Sequence, residues 1–203
     1  MDRNFSTSRK AVRAEPWTVI RHAAVSELTP RQLRLGRFGL VLFVISQAIP
    51  YFVLVNVRWM MAGSYIPPEM NPWTGLWPTL FLAVGILLAW LGVQANRTGN
   101  TSGLQLFFVP SVVLGIAAIV TLMIPLWVHP FDVLSHYGEI YVVCLGVAAF
   151  YTIIATIVVL GVVFRAGAGL AGPRISFGPE SAAVVWTFNA LAWFALYVDL
   201  YLI

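Results

Sequence analysis

Three histidines, one cysteine and eight carboxylates are the whole stock from which this chain could build a metal site, a nucleophile or an acid–base pair. Their spacing builds none of these. His22 stands in a polar N-terminal stretch, while His129 and His136 fall in or beside one short connection. Beyond Asp132 and Glu139 no further ligand group stands near that pair, so solvated loop histidines account for it better than a metal does. Cys144 has no second cysteine with which to form a disulfide or a two-cysteine copper centre. The sequence contains no glycine-rich phosphate loop and no hydrolase pattern of the Ser-His-Asp or His-Glu type.

The polar residues that fall deep in apolar surroundings are Gln47, Thr121, Tyr151, Thr152, Thr187 and Asn189, and all are neutral. Asp199 and Glu180 lie near opposite ends of the last apolar stretch. Haem held inside a membrane bundle needs axial ligands, commonly His, within the spans. A proton pump or secondary transporter would show a buried carboxylate, a broken helix pair or inverted halves. The chain therefore reads as chemically inert by itself.

The elements that must position these residues are five apolar stretches, at 38–57, 76–94, 104–128, 140–164 and 181–203, uncharged except for Asp199 near the end of the last. Each is long enough to cross a bilayer, where backbone groups must pair within the segment, so each is expected to be a helix. A composition 60% hydrophobic and only 10% charged leaves too little polar residue to coat a soluble fold. The runs do not alternate, which excludes a membrane β-barrel. The expected fold is all-α, a polytopic bundle of five transmembrane helices at 38–203 behind a basic cytoplasmic arm at 1–37. Within that arm, 16–25 is a candidate interfacial segment, and no cleavable signal peptide is expected.

Of the twelve Lys and Arg residues, only Arg58 falls on the far side of the membrane when the N-terminus is placed inside. The positive-inside rule then gives N-terminus in and C-terminus out. Trp59, Tyr65, Trp73, Trp77, Trp127, Tyr137, Tyr141 and Tyr201 gather at the expected outer boundary, as interfacial belts do. The net charge of +4 mostly records the arm, which can touch anionic lipid, and gives no reason to expect a nucleic-acid partner. The connection at 58–75 is too rich in proline for a helix through its middle, and 95–103 and 165–180 are turn clusters.

Small residues at Gly85 and Ala89, at Gly115 and Ala118, and at Gly146, Ala149 and Ala155 predict close helix packing. Trp186, Asn189, Trp193 and Tyr197 recur at three- and four-residue steps and share one helix face. A buried amide at Asn189 calls for a partner on a neighbouring helix.

The run from Phe177-Gly-Pro-Glu180 through Trp186-Thr187-Phe188-Asn189 to Trp193 and Leu196-Tyr197-Val198 resembles the last helix of subunit III of the haem–copper oxidases. That family ends on Phe-Gly-x-Glu, a Trp-His-Phe-x-Asp segment, a further Trp and a Leu-Tyr-Val. The stretch from Tyr141 to Phe164-Arg165 is similar to the family's penultimate helix. Gly39, Phe43 and Ser46 match its Leu-Gly-x-x-x-Phe-x-x-Ser-Glu segment, with Gln47 in the place of the Glu. Five spans, N-in and C-out, suit the short bacterial form of this subunit.

The departures replace ionisable groups by neutral ones. Gln47 stands for the family's carboxylate, and Thr187 and Asn189 are found in the segment where the family has its His and Asp. Ala148 and Tyr151 stand where two histidines are expected. Polar packing survives such exchanges; proton transfer at Gln47 does not. For Glu180 two readings stand side by side. One places it near lipid headgroups and subunit I, as the resemblance implies; the other is a carboxylate complementing a helix N-terminus behind Pro179.

The resemblance implies a non-catalytic subunit of a proton-translocating oxidase that passes electrons from cytochrome c, or from quinol, to dioxygen in the bacterial cytoplasmic membrane. It implies no cofactor bound by this chain, haem and copper in partner subunits, phospholipid in interhelical clefts, subunit I as the main contact and subunit II in the same complex. The expected site residues, for packing and family motif, are Gln47, Glu180, Trp186, Thr187, Asn189, Trp193 and Tyr197. Other readings that the residues leave open are a subunit III-like companion of a nitric oxide reductase, a structural subunit of another respiratory complex, and a free-standing solute transporter.

Overall fold

Thr29 opens the first helix by a reciprocal exchange in the computed structural model. Its hydroxyl accepts from the Gln32 backbone N–H at 3.3 Å, and the Gln32 side-chain oxygen accepts from the Thr29 N–H at 2.8 Å. With Pro30 at the first helical position, this is a capping box that satisfies donors the helix cannot. The structure describes residues 29–129, 131–173 and 175–203. The interfacial segment at 16–25 and the rest of 1–28 lie outside the described residues.

Five helices follow one another: α1 Pro30–Ala62, α2 Pro72–Arg97, α3 Thr101–Trp127, α4 His136–Gly167 and α5 Phe177–Tyr201. All five are long and apolar enough to cross a membrane, and no strand occurs among the described residues. The spans agree with the apolar runs, but the helices overrun them. α1 begins at Pro30, so Arg31, Arg34 and Arg37 lie on its first two turns rather than in an irregular arm. It also runs on to Ala62, which draws Arg58 out of the expected loop and into the helix. Pro50 and Pro110 sit inside α1 and α3, which continue through them. Asn71, Asn100 and Ser135 cap α2, α3 and α4 through side-chain oxygens.

The bundle is a ring of four helices with a fifth laid outside. α2 packs on α3, α3 on α4, and α5 closes the ring against α4 and α2. α1 touches only α4 and α5. In its apolar window 11% of residues are buried, against 44% in α5, so α5 is the hub and α1 the periphery. What α1 buries is Tyr51, Leu54 and Arg58. The Tyr51 ring lies 5.2 Å from Tyr151 on α4 and 6.1 Å from Phe188 on α5, over the seam between them.

The interior of the ring is made where glycine leaves room. The Trp186 indole fills the space a side chain at Gly85 would take, lying 2.5 Å from the position of a first carbon there. The same indole comes within 2.9 Å of that position at Gly115 on α3. Phe108 occupies the corresponding space at Gly92. Ala89, Ala118, Ala149 and Ala155 are buried as their spacing predicts, but Gly146 is not a packing position: it is exposed, with no atom within 4 Å of a first side-chain carbon. Overpacking a filled site costs about 1–3 kcal/mol. Gly85→Leu should therefore lower the midpoint of thermal unfolding in detergent, and Gly146→Leu should not lower it.

Candidate functional site

The predicted face of α5 points into the bundle. Trp186 and Trp193 are fully buried, and Asn189 and Tyr197 nearly so. Trp186 donates its indole N–H to the Leu82 carbonyl at 3.2 Å, and Trp193 donates to the Thr79 hydroxyl at 2.8 Å, so both fasten α5 to α2. Asn189 turns the other way. Its amide donates to the Thr152 hydroxyl on α4 at 3.1 Å, while Thr152 donates to its own helix at Ala148. The Tyr197 ring packs 5.3 Å from Tyr201, and both fill the space beside Gly75. Thr187 accepts the Trp90 indole at 3.1 Å, a further α2–α5 bond. Gln47 is not gathered into this set: it is half-buried on α1, and its amide donates only to the neighbouring Ser46 hydroxyl at 3.2 Å.

Glu180 lies in the first turn of α5 and is held from two sides. Arg97 at the end of α2 donates to one carboxylate oxygen at 2.9 Å, and Arg37 of α1 donates to the other at 3.4 Å. The connection that presents Glu180 is itself clamped. Buried Asn96 exchanges two bonds with Gly172, at 3.0 and 2.9 Å, tying the α4–α5 link to the end of α2. Because α1 does not pack on α2, a cleft of about 380 Å³ opens between them, floored by α5. Leu40, Val44, Trp90 and Val184 line it, with Arg37, Arg97 and Glu180 among its walls. Sequence reading placed Glu180 at a helix start but did not find its two arginine partners. The signal was present in the gathering of Arg37 and Arg97 on one side of the membrane.

At the opposite end, three residues expected in an interfacial belt are instead interior. Tyr137, Tyr141 and Tyr201 are buried, with Tyr137 donating to the Leu200 carbonyl and the hydroxyls of Tyr141 and Tyr201 2.7 Å apart. A phenol fits such a place because its ring is apolar and its single polar atom finds one partner. Trp59, Tyr65, Trp73, Trp77 and Trp127 do remain exposed there. Arg58, expected in the outer loop, is fully buried, and Asp199 beside it accepts the Trp59 indole at 2.9 Å.

Chemically, the site is one of attachment. Among the described residues no three of His, Cys, Asp and Glu converge, and His129 and His136 lie outside or at the start of α4. What α5 offers is a line of indole, amide and hydroxyl bonds to α2 and α4. In membranes such bonds couple helices by about 0.6 kcal/mol on average and about 1.7 at most. A cycle of Asn189→Leu, Thr152→Val and the double variant, followed by denaturant unfolding, should return a coupling in that range. Strict additivity would show that the Asn189–Thr152 bond contributes nothing.

No family model matches the chain. Curated relatives do. The chain is 25% identical to "Cytochrome c oxidase subunit 3" of Locusta migratoria, over 90% of its own length and 75% of the relative's. It is 26% identical to the proteins of the same description from Aedes aegypti and Petromyzon marinus, in each case over 81% of this chain and 68% of the relative. The chain is thus similar, at about a quarter identity over four-fifths or more of its length, to several proteins of that one description.

Proposed function

We propose that this chain is the non-catalytic subunit III of a bacterial haem–copper terminal oxidase, seated in the cytoplasmic membrane with its N-terminus inside and its C-terminus outside. The observation that carries the reading is the likeness to proteins named cytochrome c oxidase subunit 3 over four-fifths or more of the chain. Haem and copper belong, on this reading, to partner subunits, where electrons from cytochrome c reach dioxygen and protons are moved. This chain packs against subunit I in an assembly that also holds subunit II, and it supports the catalytic subunit without performing a redox step.

The uncovered face of α1 supports a partner there. Ser46 and Asn56 are exposed and Gln47 is half-exposed along a helix that reaches only α4 and α5. Polar groups facing hydrocarbon are costly, and a neighbouring subunit relieves that cost. The cleft between α1 and α2 takes a phospholipid. Its walls are apolar, and Arg37 and Arg97 outnumber Glu180 by one charge, which suits an anionic headgroup beside acyl chains.

The test is purification in mild detergent followed by an optical spectrum. Haem a or haem o absorption should travel with this polypeptide, and a preparation carrying a different respiratory complex, or no haem protein, overturns the assignment. In the same preparation, Arg37→Ala combined with Arg97→Ala should reduce the phospholipid retained per chain, measured by mass spectrometry of the extracted lipid.

A further inference from the structure

Arg58 and Asp199 form an arrangement that the packing of the ring does not require. Arg58 lies near the end of α1 and is fully buried; Asp199 lies in the last turn of α5 and is 5% exposed. Each has one described bond. Arg58 Nη1 donates to the Gly63 carbonyl, and Asp199 Oδ1 accepts from Trp59 Nε1 at 2.9 Å. Gly63 reaches that carbonyl orientation through φ 59° and ψ −131°, a conformation open to glycine and strained for other residues. Left over are two donors, Arg58 Nε and Nη2, and one acceptor, Asp199 Oδ2, all buried and without a partner among the described residues.

The neighbours cannot supply those partners. The Arg58 guanidinium carbon lies 5.0 Å from the Trp59 ring centroid and 6.0 Å from that of Tyr137. The Tyr137 hydroxyl is committed to Leu200, and the Tyr141 and Tyr201 hydroxyls to each other. The two charges meet at Trp59, which donates its indole N–H to Asp199 and carries the Arg58 guanidinium over its ring. They are nonetheless not in direct contact, since the only ion pairs within 4.0 Å among the described residues are those of Glu180.

Taking a charge out of water costs several kcal/mol per ion unless it is paired and its remaining positions are bonded. Buried polar groups outside direct contact are commonly joined through one intervening water. One N–H from each of the two donor nitrogens and the one acceptor oxygen are met together by a single water, whose oxygen accepts twice and one of whose hydrogens goes to the carboxylate. Three bonds is about the usual number for a buried water. An anion would meet the Asp199 carboxylate and a cation the Arg58 guanidinium, so the occupant is neutral. We propose that one internal water bridges Arg58 Nε and Nη2 to Asp199 Oδ2, and that this buried, solvent-bridged ion pair fastens the end of α1 to the end of α5.

Amide hydrogen exchange on the full chain, purified in mild detergent with the subunits that accompany it, reads this fastening locally. Asp199→Asn keeps an acceptor for Trp59 and removes the charge; Arg58→Met removes the other charge. Each should raise exchange of the amides at 59–63 by about tenfold or more, and the double variant should return to within about threefold of the parent. Unchanged exchange in Asp199→Asn, or a double variant as fast as the product of the two singles, overturns the pair. Should Arg58→Met fail to fold, Asp199→Asn decides alone. An experimental density map of the parent should show a water within hydrogen-bonding distance, about 2.7–3.2 Å, of Arg58 Nη2 and Asp199 Oδ2. Direct contact of the two side chains with no density between them overturns the bridge.

Discussion

The Trp186 indole fixes the distances on which the rest of the bundle is built. A side chain of that size reaches the centre of a four-helix ring only if two facing helices give up their own side chains, and Gly85 and Gly115 do so. Glycine in a helix interior forgoes about 1 kcal/mol relative to alanine. The indole returns more than that in buried area, because aromatic side chains bury on the order of 150–250 Å² each. Its N–H must also be satisfied in a dry interior. The Leu82 carbonyl takes it as a second bond, which a carbonyl with two lone pairs permits without breaking the helix. Trp193, two turns on, repeats the attachment at Thr79, so the whole axis of α5 is pinned along α2.

Once the ring is closed in this way, α1 has no place inside it. It lies over the seam of α4 and α5, held at one end by Arg37 on Glu180 and at the other by Trp59 on Asp199. Between those points only Tyr51, Leu54 and Arg58 are well buried. A helix pinned at its ends and absent from the face of α2 leaves a gap along α2, and that gap is the cleft. Glu180 matters doubly here, since it joins the ring to α1 through one carboxylate oxygen and to α2 through the other. Of the two readings of this residue, the helix-start one matches its place in the first turn of α5, and its hold on two neighbouring helices is one that neither reading named.

The five spans were legible because length and uninterrupted apolarity are properties of the sequence itself. The inward face of α5 was legible for a similar reason: residues at three- and four-residue steps share a side of a helix, and a buried amide such as Asn189 needs a partner. The partner's identity, Thr152, was not, because it depends on which helix lies opposite. Tyr137, Tyr141 and Tyr201 misled in the same manner, since an interfacial phenol and a buried one occupy the same depth and differ only in which way the helix faces. Arg58 was hidden by a boundary. A proline-rich connection suggested that the helix had ended, yet α1 runs on to Ala62 and carries the guanidinium inside. Gly146 shows the converse error, a small residue at packing spacing that faces open space.

The neutral residues at the middle of the bundle carry the remaining physical point. Thr187 takes the Trp90 indole and Asn189 gives its amide to Thr152, and neither task needs a proton to move. A His or an Asp could hold the same helices together, but in a low-dielectric interior its charge would demand a counter-charge or be extinguished. Threonine and asparagine provide the hydrogen bond without that demand. Charges sit toward the helix ends instead, Glu180 between two arginines and Asp199 on the Trp59 indole next to Arg58. There, attraction between opposite charges joins α1 to a ring that closes without it.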